Sequence, residues 1–250
     1  MAKLVSLVWL ALLPACGSQF TDPIRERTSV DACETRVVAQ LDGSTFASVP
    51  RVIQDDFSIE LWLQADTSPV DDFFGEGAAL VFSDVETVQV DDFAAGILNG
   101  KFLLSVGGPD TAATSVSDVT TGAWTHVAAT RSVTTGIVLV YVNGVLEASA
   151  VGNTNPLDDA PTLDFGGRTG RNFFSGALSE LRVWSDVRSQ SELTTNMRVA
   201  LTGSEPGLVG YYRFDDGAGA TARDVSPSHA DAVFDSDLDW PLVASPFCLP

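Results

Sequence analysis

Histidine is nearly missing from this 250-residue chain, which holds only His126 and His229. A metal centre built on several imidazoles is thereby excluded. Basic residues are scarce as well: 14 Lys and Arg stand against 33 Asp and Glu, a net charge of −19 with histidine neutral. A surface of that sign repels nucleic acid and anionic lipid headgroups, which leaves cations, neutral glycans and other proteins as partners. There is no G-x-S-x-G elbow, so a lipase-like nucleophile has no support. Low-complexity stretches are few, and 45% of residues are hydrophobic, enough to bury a substantial core. Long apolar runs are lacking too. The clearest, Leu4 to Leu13, is about half of the roughly 20 residues needed to cross a bilayer as a helix.

That run says where the protein works. Lys3 is the only charge before it and Ser6 its only polar residue, the order of a secretion signal. It ends Leu13-Pro14-Ala15-Cys16-Gly17, which resembles the lipobox of bacterial lipoproteins. The resemblance implies a diacylglyceryl group on the Cys16 thiol, cleavage just before it and acylation of the new amino terminus. Acyl chains at about 0.8 kcal/mol per buried methylene hold a soluble domain at a membrane. Gly17 stands where many inner-membrane lipoproteins carry aspartate, which directs the expectation to the outer membrane of a bacterial envelope. Residues 1–15 contain one charge, Lys3, so the mature chain carries 13 Lys and Arg against 33 acids, a net of −20. From Gly17 to about Val30 the chain is polar, mixes charges and contains Pro23, as a tether does. The expected organisation is a signal peptide over 1–15, a lipidated cysteine and tether over 16–32, and one binding domain over 33–250.

Two cysteines remain, Cys33 and Cys248, at opposite extremes of an exported chain. They read as one disulfide tying the termini, the alternative being two unrelated thiols. Closing so large a loop contributes about 4 to 5 kcal/mol in the loop-entropy model, less any strain.

Between them, short apolar runs alternate with glycine, aspartate and asparagine. "FSIELWLQ", "AALVFSD", "KFLLSVGG", "WTHVAATR", "IVLVYVNG" and "LVGYYRF" have strand length and β-branched or aromatic enrichment. Asn99-Gly100 and Asn143-Gly144 predict type I′ hairpins, whose two central residues need positive φ. One segment reads as helix, "RSQSELTTNM", with Ser189 and Glu192 at capping-box spacing. With no βαβ alternation, the pattern predicts an all-β fold, a two-sheet antiparallel jelly-roll sandwich with one short helix.

"WTHVAATRSVTTGIVLVYVNGVLEAS", "LDFGGR", "FFSGALSELRVWSDVRSQSELTTNM" and "GLVGYYRFDDGAGATARDVS" follow one another in the motif order of laminin-G-like domains. The chain resembles that family, part of the concanavalin A-like lectin and glucanase superfamily, with pentraxins and sialidase-associated lectin modules among its relatives. The likeness is specific for fold and says little about ligand, because this scaffold carries binding, adhesion and catalysis. Glucanases of the superfamily carry paired acids a few residues apart on one strand, as retaining hydrolysis needs carboxyls about 5 Å apart. Here Glu60 meets no second acid before Asp66, nor Glu180 before Asp186, and six residues of strand span about 20 Å. His126, inside a strand motif, reads as a framework residue. "GAGATA" imitates a dinucleotide fingerprint, but Asp224 and Pro227 follow where a helix must start. "DSDLDW" lacks the glycine and glutamate of an EF-hand loop.

What remains points to binding. Aspartates crowd the loops, and calcium takes six to eight such oxygens. The resemblance adds that laminin-G-like relatives hold the ion near a sheet rim. Two calcium candidates follow: Asp71, Asp72, Asp91 and Asp92 in the loops, or Asp42 with Asp224 joining first strand to last. Phe73 and Phe74 beside Asp71 and Asp72 suit a glycan, whose apolar faces rings cover while carboxylates bind hydroxyls. Phe174 reads as core. The function expected is a non-catalytic, membrane-anchored lectin-like domain for carbohydrate, glycosylated or protein partners outside the cytoplasm. A polysaccharide hydrolase of the same fold and a structural envelope lipoprotein are the alternatives.

Overall fold

The computed structural model describes residues 35–65, 67–69, 76–85 and 90–248. The signal peptide, Cys16, the tether, Cys33, Asp71, Asp72, Phe73 and Phe74 lie outside them. In chain order the strands are β1 (Thr35–Val37), β2 (Ala39–Asp42), β3 (Ala47–Pro50), β4 (Phe57–Gln64), β5 (Ala78–Ser83), β6 (Phe93–Leu98), β7 (Lys101–Val106) and β8 (Thr111–Asp118). There follow β9 (Thr125–Arg131), β10 (Ile137–Val142), β11 (Val145–Val151), β12 (Thr162–Phe165) and β13 (Ser175–Trp184). Helix α1 (Gln190–Asn196) precedes β14 (Leu208–Tyr212), β15 (Thr221–Ala222), β16 (Ala232–Val233) and β17 (Leu242–Ala244).

Two antiparallel sheets face each other, as expected. One runs β11-β10-β9-β4-β13-β14, with β2 also paired to β13; the other runs β3-β12-β5-β6-β7-β8. Period-2 alternation fills the space between them: Phe57, Ile59, Leu61 and Leu63 of β4 point inward and are fully buried against Phe93, Phe102 and Phe165 of the other sheet. Burying each such side chain stabilises by roughly 1.5–3 kcal/mol. Phe174 joins this core.

Both hairpins form where the turns were read. Asn99 and Gly100 take φ of 51° and 77° between β6 and β7, and Asn143 and Gly144 take 50° and 76° between β10 and β11. Ser189 and Glu192 make the capping box of α1, each side chain bonding the other's backbone N–H. Leu193 of the helix packs on Ala128 of β9 and Tyr141 of β10, and the carbonyls of Asn196 and Met197 at its end take Arg182 of β13 and Trp62 of β4. "GAGATA" is loop followed by β15, not a helix start. The terminal strands β1 and β17 pair antiparallel, Thr35 opposite Ala244. Among the described residues no helix is long and apolar enough to cross a membrane.

Candidate functional site

Charged side chains gather first on the outer face of β4, β9 and β13. Oε2 of Glu60 meets Nε2 of His126 at 3.1 Å, and Trp184 Nε1 donates to Oε1 at 3.1 Å. Arg182 lies 3.5 Å from Glu60 and donates to Glu180 at 2.8 Å, while the Tyr211 hydroxyl and Arg36 donate to the same Glu180 at 2.6 and 2.7 Å. Burial pushes the Glu60 carboxyl up, but His126, Arg182 and Trp184 outweigh it and hold it below the ordinary value. Burial and Glu180 push Tyr211 up to about 12. Two carboxylates do therefore come together, across strands rather than along one. They are closed off from any substrate: Glu60, Glu180, Arg182 and His126 are each 1% exposed, and Arg182 is tied to the carbonyls of Asn196 and Val199 below α1. This cluster fastens the helix to the sheet, and His126 is the framework residue expected.

An accessible site is built at one end of the sandwich, where the β5–β6, β7–β8 and β11–β12 connections meet. Asp91, Gly108, Pro109 and Asn155 line a cleft of about 420 Å³. Arg131, at the end of β9, holds the loop that carries Asn155. Fully buried, it donates to the carbonyls of Gln54 and Asp55 and to those of Asn153 and Asn155, the last at 2.6 Å. Burial draws the Arg131 pKa down against the pull of Asp55, Asp56 and Asp91. The loop so held presents two amides to one carboxylate: Asn153 Nδ2 donates to Asp91 Oδ1 at 2.7 Å, and Asn155 Nδ2 reaches both oxygens at 3.1 and 3.2 Å. Asn153 Nδ2 also donates to the carbonyl of Gly107. Gly108 has φ of 70°, and a Cβ there would come within 2.6 Å of Asp91 Oδ1, so only glycine lets the β7–β8 turn approach.

Asp92, next to Asp91, is buried. Its Oδ2 accepts from the Val85 N–H at 3.2 Å, and its carbonyl accepts from Gly107 N at 2.9 Å. Burial, then Asp84 and Asp110, push its carboxyl up to about 7, against the opposing Val85 hydrogen bond. Asp84 is itself paired with Arg168 at 2.7 Å.

The aspartates singled out from sequence are thus distributed. Asp91 and Asp92 stand together at the start of β6. The framework pair is not a pair. Asp42 lies opposite Ser175 on β13, and Asp224 bridges Tyr212, which lies opposite Leu181. Six residues of β13, roughly 20 Å, separate those positions. Asp42 bonds the backbone and hydroxyl of Ser44, while Asp224 accepts from the N–H groups of Tyr211, Ser226 and Ala230. Among the described residues no three His, Cys, Asp or Glu side chains gather as metal ligands; Asp71 and Asp72, half of the loop candidate, lie outside them. Asn153, Asn155 and Arg131 were not singled out from sequence. The asparagine-rich "VGNTNPLDD" after a strand was the available signal.

The family model for laminin G-like domains, described as the concanavalin A-like lectin/glucanases superfamily, matches residues 41–194. That is more than half of the chain. The chain belongs to the concanavalin A-like lectin/glucanases superfamily. Solved members of similar fold include a Bacteroides ovatus protein provisionally assigned as carbohydrate binding, with a TM-score of 0.68 and 20% identity over 84% of this chain and 60% of that one. This chain therefore spans less than two thirds of that protein. The heptameric SAP-like pentraxin of Limulus polyphemus gives 0.55 at 14% identity, covering 86% of this chain and 98% of its own. Domain 4 of an extracellular arabinanase of Geobacillus stearothermophilus, solved with arabinotriose, gives 0.50 at 21%, covering 64% and 76%. At such identities the likeness is one of fold. A search of the curated proteins found no match. Within the superfamily's scaffold, the cleft at Asp91 lies on loops that join strands of both sheets.

Proposed function

We propose that the protein is an exported lectin-like module, anchored to the membrane through acylated Cys16, that binds carbohydrate in the cleft of Asp91, Gly108 and Asn155 without cleaving it. The observation that carries this reading is the construction of that cleft. Arg131, fully buried, holds the Asn153–Asn155 loop against Asp91, so a carboxylate, an amide and a glycine backbone are set in place before any ligand arrives. Sugar hydroxyls donate and accept at once, and a preorganised mix of carboxylate and amide answers both needs at low ordering cost. The acidic surface favours a neutral glycan over an anionic one. The Bacteroides protein's assignment and the arabinotriose bound to the arabinanase domain agree with the ligand class. Among the described residues the cross-strand glutamates Glu60 and Glu180 are each 1% exposed and paired with Arg182, which supports binding without hydrolysis.

The test is a glycan array probed with the purified mature chain, followed by titration of the best glycan against the wild type and Asn155→Ala. Binding without sugar release, weakened at least tenfold by the substitution, is expected. Release of reducing sugar would turn the reading to a hydrolase. Absence of binding to any glycan would turn it to a structural role.

A further inference from the structure

A second polar hollow, of about 520 Å³, lies among the loops after β14, lined by Arg213, Asp215, Asp216, Asp224, His229 and Asp231 with their neighbours. Its volume falls in the range of small-molecule sites. None of these residues belongs to the cleft at Asp91, and all lie beyond residues 41–194 that the family model matches.

Some of the lining builds the walls. Asp224, 4% exposed, accepts from three backbone N–H groups, and its own N–H is bound by Asp231 Oδ1 at 2.9 Å. Asp216 takes the backbone N–H and Nε of Arg223 at 3.2 and 2.6 Å. These bonds join the two sides of the loop and leave the hollow open in the absence of any ligand. Other groups are unused. The side chains of Asp215 and His229 are exposed and make no hydrogen bond among the described residues, and Asp231 has a second oxygen without one. His229 sits at φ of 49°, a backbone glycine adopts freely and a side-chain-bearing residue adopts at a cost of about 1–2 kcal/mol. The loop thus keeps an unbonded imidazole where glycine would be less strained.

The chemistry of the lining selects a ligand. Arg213 and the imidazole donate; Asp215 and Asp231 accept. Four aspartates against two arginines repel an anion, and Arg213 opposes a compact cation. The hollow's lining has no Phe, Tyr or Trp, and its one ring is the small imidazole of His229, a poor platform for a planar base. Adjacent hydroxyls, each both donor and acceptor, match this alternation. We propose that the hollow is a second carbohydrate subsite, taking a neutral sugar by its vicinal hydroxyls. This rests on the reading of the protein as a carbohydrate binder, and it makes the module bivalent, so one chain engages two points of a glycan and gains avidity.

Calorimetric titration of the mature chain with neutral trisaccharides (xylotriose, cellotriose, maltotriose and arabinotriose) tests it, using Asp215→Asn, His229→Gly and Asn155→Ala. Two sites per chain are expected in the wild type. Asp215→Asn and His229→Gly should each weaken one site at least tenfold and leave the other, while Asn155→Ala does the reverse. His229→Gly relieves the backbone, so its melting temperature should equal or exceed that of the wild type, which separates loss of a ligand group from loss of fold. If both hollow variants titrate like the wild type, the subsite is overturned while the cleft at Asp91 stands. If only Asn155→Ala is silent, the cleft falls and the hollow stands. Failure of all four sugars to bind the wild type overturns both.

Discussion

Oε2 of Glu60 lies 3.1 Å from Nε2 of His126, with both side chains 2% exposed. Nδ1 of the same ring is buried without a partner, so the proton belongs on Nε2, where it meets the carboxylate. The Nε2–H donates within a framework, and neither ring nitrogen reaches solvent. His126→Ala leaves Glu60 short of one partner while Arg182 and Trp184 remain. A loss of about 1–3 kcal/mol follows from an unmet buried acceptor. Urea midpoints should show that loss, and glycan affinity should not move; a loss of affinity at unchanged stability would assign His126 to the binding site instead.

Asp92 gives stability a pH dependence. Its carboxyl is pushed from an ordinary 3.8 up to about 7, so the folded chain holds a proton that the unfolded chain has released. The contribution is full below about pH 4, falls as pH rises toward about 7 and is lost above it. Asp92→Asn keeps the uncharged form and should flatten that slope. Chemical denaturation of both proteins across this window measures it, and parallel curves would refute the assignment to Asp92.

Asn153 joins the β11–β12 loop to Asp91, to the Gly107 carbonyl and to Arg131. Asn153→Ala therefore frees Asp91 and the turn at once. It should cost about 1–3 kcal/mol and weaken sugar binding at the cleft more than tenfold. Sugar titration at a temperature well below the melting point reads the second effect apart from the first. Unchanged affinity would mean that the loop needs no anchoring.

The register of β1 on β17 starts two residues after Cys33 and ends four before Cys248. A disulfide there would close the chain on itself. Thiol titration of the unfolded mature protein is expected to find neither cysteine free, and two free sulfhydryls would dismiss the bridge.

Anchoring is tested separately. Cys16→Ser should abolish acyl labelling and release the protein from membranes. A variant that stays on the membrane would remove the lipid anchor from the proposed function.

Features that depend on a few consecutive residues were legible in the amino-acid order. Asn99-Gly100 and Asn143-Gly144 select their turns through φ alone, Ser189 and Glu192 cap a helix about two turns long, and β4 declares its buried face by simple alternation. Each rests on local sterics, which neighbours along the chain decide. The motif order added the sandwich. What the tertiary structure alone decided was which distant residues meet. Along its own strand Glu60 has no nearby acid, yet β4 pairs with β13 through a bulge, where Glu180 takes φ of 57°, and Arg182 draws the two acids together. Asp91 was noticed for its charge, but its partners stand 62 and 64 residues away on a loop held by a buried arginine. Asp42 and Asp224, paired from their places near the chain's ends, are set apart by six residues of β13. Sheet register follows from how whole faces pack into one core, and no short window of residues contains that information.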